Sequence, residues 1–277
     1  MRRFSVRILG FLLLVGVAGW LAAAAQAAET SILQEVLRRG TVRIAVNTGN
    51  EPRQFVDEKG ELQGYDIDIA NHMAKQLGVT AEFIRTDVAG RVAMLQSRKA
   101  DVTIATFTPN LERLKTVGFT DPYTTDVLTL MTRADRKELG SLKDFDKPEI
   151  KIALGRGSTA AKALAKYVPK ATIVEFPGLA DIISAIDAGQ VDATCSNDGL
   201  VNWTVKKSGG KYRAAAELGA PEDDSIGLPQ GDFVWWMWLN HFVHEINEDG
   251  TNYTLWHKWF GDVAAPPFVK EPPKSPS

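Results

Sequence analysis

Apolar and polar positions along the chain follow two periods that take turns. Residues 41–46 are rich in β-branched side chains and predict a strand, residues 66–77 carry apolar side chains at helical spacing closed by Gly78, and residues 80–84 return to a strand. Residues 89–98 then read as helix and 100–105 as strand, a run of βαβ units that predicts a mostly parallel sheet. A bridge follows, through Asp121, Pro122 and Tyr123 into an extended apolar stretch at 127–131 and a charged loop at 133–138. The alternation restarts beyond it with strand 151–154, helix 159–166, strand 171–176, helix 180–188 and strand 191–195. Residues 226–228 read as one more strand, and 233–247 and 251–260 as two terminal helices. The pattern predicts an α/β protein of two lobes, the first from residues 28–129 plus 223–262 and the second from 130–222. The stretch 263–277 holds five of the 13 prolines and is expected to be a disordered C-terminal tail.

The first 27 residues are of a different kind. Arg2, Arg3 and Arg7 precede an apolar run at 8–24 that ends in Ala25-Gln26-Ala27, the form of a secretory signal peptide with a small-residue cleavage site. The run is short for a membrane anchor, and no cysteine is present there for a lipid anchor. The protein is therefore expected to be exported, and losing those three arginines takes its net charge from −2 to −5.

Composition narrows the function classes. With 44% hydrophobic and 24% charged residues in 277, the chain can bury a sizeable core, and its slight negative charge excludes the basic footprint of a nucleic-acid binder. A single cysteine, Cys195, cannot form an internal disulfide. Of the four histidines, His241 and His244 have the i, i+3 spacing of a metal pair, but no third ligand accompanies them, so no metal or other cofactor is expected. The aromatic group Trp235, Trp236, Trp238, Phe233 and Phe242 falls on one helix and is read as packing rather than as a sugar-stacking platform.

Two segments are candidate anion seats. In the second lobe, Gly155-Arg156-Gly157-Ser158-Thr159 follows a strand and opens a helix, so free N–H groups and the Ser158 and Thr159 hydroxyls could hold a carboxylate; an ordinary helix cap has the same signature. In the first lobe, strand 101–105 runs into Thr106-Phe107-Thr108-Pro109-Asn110-Leu111-Glu112-Arg113. This puts hydroxyls and an arginine beyond the carboxyl end of a parallel strand, where open α/β sheets bind ligands and where an arginine fork can grip a carboxylate. A solvated arginine beside Glu112 is the alternative.

Six segments carry a resemblance: GTVRIAVN from Gly40, GYDIDI from Gly64, LQSRKAD from Leu95, ERLKTVGFTDPY from Glu112, GQVDA from Gly189 and KWFG from Lys258. In order and spacing they are similar to the motifs of bacterial extracellular solute-binding proteins of the polar amino-acid type, over residues 29–261. The resemblance implies a two-lobed type II periplasmic-binding-protein fold, two mostly parallel-sheet lobes joined by two crossing strands and closing on a ligand. It also implies that a monomer in the periplasm presents this ligand to the membrane permease of an ABC transporter. By that pattern Arg113 clamps the ligand α-carboxylate, Thr108 and Thr106 bind its carboxylate and amino group, and Thr159 is the helix-start threonine of lobe two. Arg91 resembles an arginine of members that take glutamate, aspartate or glutamine, and is expected to reach the ligand's distal group.

Departures from the pattern matter as much. Asn50 and Val88 stand where many members carry an aromatic or polar contact to the ligand side chain. Asn197 aligns with the aspartate that takes the ligand ammonium, with Asp198 next to it. One fewer carboxylate beside Arg113, Arg91 and Arg156 tilts the expectation toward an acidic or strongly polar amino acid or a related carboxylate. Two other functions stay open: a dehydratase-like enzyme on the same scaffold, with Asp198 or Asp87 as proton donor, and a ligand-sensing subunit of a membrane receptor. A perturbed carboxylate inside the cleft is the feature that would favour the enzyme.

Overall fold

The computed structural model describes residues 30–272. The expected signal peptide at 1–27 lies outside the described residues. Lobe one begins with helix α1 (Ile32–Arg39), whose Ser31 cap accepts from the Leu33 N–H, and strand β1 (Thr41–Val46). A small hairpin, β2 (Phe55–Val56) with β3 (Leu62–Gln63), leads to α2 (Tyr65–Leu77), β4 (Thr80–Arg85), α3 (Gly90–Gln96) and β5 (Val102–Thr103). β1 pairs in parallel with both β4 and β5. β5 is shorter than the pattern predicts, because at Thr106 the backbone turns to φ 50 and its N–H is taken by the buried Asp66 side chain.

The bridge is one long strand, β6 (Val117–Arg133), and its return is another, β10 (Tyr212–Pro229). They pair antiparallel over their whole length and form the centre of an eight-stranded sheet of order β4-β1-β5-β10-β6-β9-β7-β8. Between them the chain builds lobe two from α4 (Leu142–Phe145), β7 (Lys151–Gly155), α5 (Ala160–Tyr167), β8 (Thr172–Phe176), α6 (Leu179–Asp187), β9 (Ala193–Asn197) and α7 (Asp198–Lys207). β7 pairs in parallel with β8 and β9. The chain finishes back on lobe one with α8 (Phe233–Glu248) and α9 (Thr251–Phe260).

Each lobe has its own apolar core. Val42, Ile44, Ile69, Met73, Trp235 and Phe242 belong to the first, and Leu130, Ile152, Leu154 and Leu164 to the second. Trp235 is fully buried, in line with packing, but Phe233 at the start of α8 is 67% exposed. The stretch after 263 is not a loose tail as far as residue 272. Val269 is buried at 6% exposure and the Lys270 N–H donates to the Asn247 carbonyl at 2.7 Å. Prolines with an anchored apolar residue among them lie down on a surface at little entropic cost, since their φ is already restricted.

Candidate functional site

A cavity of about 340 Å³ opens between the lobes. Its walls come from the carboxyl ends of the parallel strands: Asn47 after β1, Thr86 after β4, Thr106 after β5, Ser158 after β7, Pro177 after β8 and Asn197 at the end of β9. The two crossing strands contribute Asp126, Leu128 and Glu222. Both lobes thus aim their strand ends at one space, as ligand sites of open α/β sheets do.

Lobe one supplies a preorganised cationic wall. Arg113, half-buried, donates to the Thr108 carbonyl at 2.7 Å and reaches across to the Gly157 carbonyl of lobe two at 3.3 Å. Burial lowers its pKa, with Asp224 and Glu222 acting in the opposite sense. Arg91, 4% exposed, donates to the carbonyls of Val88, Ala105 and Thr106 at 3.0, 2.6 and 2.9 Å. Burial, then the charge of Arg113, brings its pKa down to about 9, which still leaves it charged at neutral pH. Both guanidinium carbons lie over the Phe107 ring, at 4.7 and 4.6 Å. That ring sits where a Cβ on Gly227 would be 2.6 Å from it, so β10 can pass only with glycine there. Arg91 was expected to reach the ligand's distal group; it borders the cavity, but its Nε and Nη1 are held by the backbone of the binding loop.

The hydroxyls are part of the same framework. Thr108 donates to Asp224 Oδ1 at 3.2 Å, and Thr106 accepts from the Asn50 side-chain amide at 2.9 Å. Across the cleft Asn50 Oδ1 accepts from Asn197 Nδ2 at 2.9 Å, so these two asparagines join the lobes. Val88 also lines the cavity. In lobe two, Thr159, the residue before the helix, donates to Glu222 Oε2 at 3.3 Å, while the Ser158 hydroxyl accepts from the Ala160 N–H at the helix start.

Three expectations from the sequence are corrected here. Arg156 is exposed and is not part of the cavity wall. Asp198 is not on the wall either; its Oδ1 accepts from the N–H groups of Val127 and Gly199, which turns it back onto β6 and its own helix start. Asn197 does line the cavity, but its Oδ1 caps α7 by accepting from the Leu200 N–H at 2.9 Å, so it is not a free acceptor. Asp87 is on the wall, exposed at the mouth, with its Oδ1 accepting from the Gly90 N–H.

The residues that sequence reasoning missed are acidic. Asp126 is 5% exposed and half-buried Glu222 is its register partner on β10. The cavity was expected to be short of a compensating carboxylate; with Asp87, Asp126 and Glu222 on its wall against Arg91 and Arg113, it is not. Behind Asp126 lie the fully buried Asp224, Asp66 and Arg53. Burial raises Asp126 well above the ordinary carboxylate range, and the neighbouring Asp224 adds to this; burial raises Asp224 too, with Arg53 acting in the opposite sense. Burial raises Glu222 as well and lifts Asp66 to about 7. Arg53 goes the other way: burial opposes its charge, yet Asp224, Asp126 and Asp66 together hold it above its ordinary value. The one available signal was a charge inside a long, largely buried strand, at Asp126. Cys195 borders the cavity, but burial raises its thiol pKa, which keeps it unreactive.

Comparison with known proteins agrees with this geometry. The family model of bacterial extracellular solute-binding proteins, family 3, matches residues 42–262. The glutamine-binding protein of Geobacillus stearothermophilus is 31% identical over 204 residues, covering 72% of this chain and 77% of its own. The L-cystine-binding protein of Escherichia coli K12 is 26% identical over 235 residues, 84% of this chain and 88% of its own. Among solved structures, an ancestral amino acid-binding protein, a precursor of cyclohexadienyl dehydratase, superposes with a TM-score of 0.78 at 31% identity, covering 83% of this chain and all of that one. The cavity thus sits in a type II periplasmic-binding-protein fold, and the chain belongs to the bacterial extracellular solute-binding proteins of family 3.

Proposed function

We propose that the cleft captures a free amino acid in the periplasm, and that the protein, as a monomer, hands it to the membrane permease of an ABC transporter. One observation carries the reading. Arg113 of lobe one faces the Ser158–Thr159 helix start of lobe two across a cavity of about 340 Å³, a volume at the small end of ligand cavities (~300–1,000 Å³). An arginine fork on one wall and a helix N-terminus on the other suit a small carboxylate, and the ligand makes more contacts when the lobes are together than apart. The names of the glutamine- and cystine-binding relatives support an amino acid, and the signal-like N-terminus supports export.

The test is a thermal-shift screen of the twenty L-amino acids on protein stripped of co-purified ligand, followed by calorimetry on Arg113→Ala. A ligand at 100 times its Kd stabilises the fold by about 2.7 kcal/mol. Removing a desolvated arginine from its carboxylate should cost about 2–5 kcal/mol, or roughly 30-fold to several-thousand-fold in affinity. If no amino acid raises Tm, or Arg113→Ala keeps the native Kd, the proposal fails.

A second reading has one observation in its favour. Asp126 and Glu222 are cavity carboxyls raised by burial, the property a proton donor in a dehydratase needs. Binding is the better reading, because these groups lie on the same wall system as two arginines and no activated nucleophile faces them among the described residues. Mass spectrometry of a ligand recovered after incubation separates the two: an unchanged ligand supports binding, and a dehydrated one an enzyme.

A further inference from the structure

Resting on that reading of the cleft, a further question is what receives the ligand's ammonium. Position 197 does not: Asn197 spends its oxygen on the Leu200 N–H and its amide on Asn50. Asp198 is turned to backbone N–H groups away from the cavity. One strand over, β6 pairs Leu128 with Asn197, and Asp126 lies two residues earlier on the same strand face; Leu128 and Asp126 both line the cavity. Asp126 is 95% buried, opens on the cavity, and among the described residues its carboxyl receives no hydrogen bond from any N–H or alcohol donor; the buried Asp224 carboxyl is its neighbour. A buried carboxyl left without a donor on a ligand wall is a group waiting for one.

We propose that Asp126, on the crossing strand, receives the ligand's α-ammonium in place of position 197, with Glu222 beside it on β10, so that the cleft takes zwitterionic or cationic amino acids and turns away dicarboxylates. The groups around Asp126 fit this. Asp224 and Glu222 face it from β10, Asp198 from the start of α7 and Arg53 from the loop before β2. Arg53 is already engaged by the Thr125 carbonyl and by Asp224, 4.0 Å away, so it leaves room for a second cation. Burial and the neighbouring Asp224 raise the Asp126 carboxyl in the free protein. An ammonium paired with the Asp126 carboxylate lowers it again, and a proton held there leaves to solvent. Binding therefore releases protons and tightens as pH rises toward the raised value of the free protein.

The probe is whichever of the twenty L-amino acids ranks first by thermal shift, titrated calorimetrically in two buffers of different ionisation enthalpy. The native protein should release protons on binding, and glutamate should bind more weakly than glutamine. Asp126→Asn should weaken binding roughly 30-fold or more and abolish the proton release. Should Asp126→Asn not fold, the 2-hydroxy-acid analogue of the probe serves on the native protein: lacking the ammonium, it should bind without releasing a proton. Native affinity in Asp126→Asn, equal proton release with the hydroxy acid, or glutamate ranking first would overturn the inference and leave the amino-acid reading standing. A screen in which no amino acid binds would overturn both.

Discussion

Removing the positive charge of Arg53 tests the electrostatics beneath the cleft. Its side chain is fully buried, donates to the Thr125 carbonyl at 2.9 Å, and stands 4.0 Å from Asp224. The guanidinium also lies against Phe260 and Tyr65, 5.4 and 6.0 Å from the ring centroids. A unit charge pair at 4 Å is worth about 4 kcal/mol at an effective dielectric constant of 20. Desolvation cancels much of that while both partners are present, but taking one away leaves the other buried and unpaired, at a cost of about 3–5 kcal/mol. Arg53→Leu keeps much of the packing against the two rings and loses the charge, so the cost falls on Asp224, Asp126 and Asp66. For a chain of this size about 2–4 °C of Tm accompanies each kcal/mol, which predicts a loss of roughly 6–20 °C at pH 8. The pH dependence has a definite sign. Carboxyls whose pKa is raised in the fold contribute stability that is complete below their ordinary range near 4 and is lost as pH rises through the folded value. Without Arg53 those values rise further, so the penalty should be smaller at pH 5 than at pH 8. Calorimetric melts of both proteins at the two pH values decide the matter. A Tm within 2 °C of native at pH 8, or a penalty that grows toward acid, would refute the reasoning.

Other outcomes follow from the same geometry. Gly157 has φ +79, and a Cβ there would lie 3.0 Å from Ala89 Cα of the opposite lobe; Gly157→Ala should therefore oppose closure and weaken ligand binding about 5- to 30-fold (about 1–2 kcal/mol), and an unchanged Kd in calorimetry would count against it. Asp66, lifted to about 7 by burial, should make stability fall between pH 4 and 7; in Asp66→Asn, melts across that range should lose this part of the slope, and an identical pH profile would show that Asp66 is not the titrating group. Because Arg113 and Asn50 touch lobe two directly, saturating ligand should shrink the radius of gyration in small-angle scattering; equal radii with a verified ligand would argue against the clamp.

The periodic pattern alone placed β1, α2, α8 and α9 within a residue or so of where they lie, and it read the restart of the βαβ series that makes the second lobe. It also led to the strand ends, and so to Thr106, Thr108, Arg113 and the Ser158–Thr159 turn, since ligand loops of parallel sheets follow their strands in sequence. It did not see that residues 117–133 and 212–229 are two long strands, because each crosses from one lobe to the other and mixes buried, half-buried and exposed positions with no single period. The aim of individual side chains was decided by tertiary structure. Asn197 and Asp198 look like candidates for an ammonium until the start of α7 takes their oxygens, and Arg156 looks like a pocket cation until its loop turns it to solvent. Asp126 gained its place through pairing with strands some 70 and 96 residues further along the chain. Local propensity records which backbone a segment prefers; which side chain meets which across a cleft depends on the register of strands far apart in sequence, and only the folded sheet sets that register.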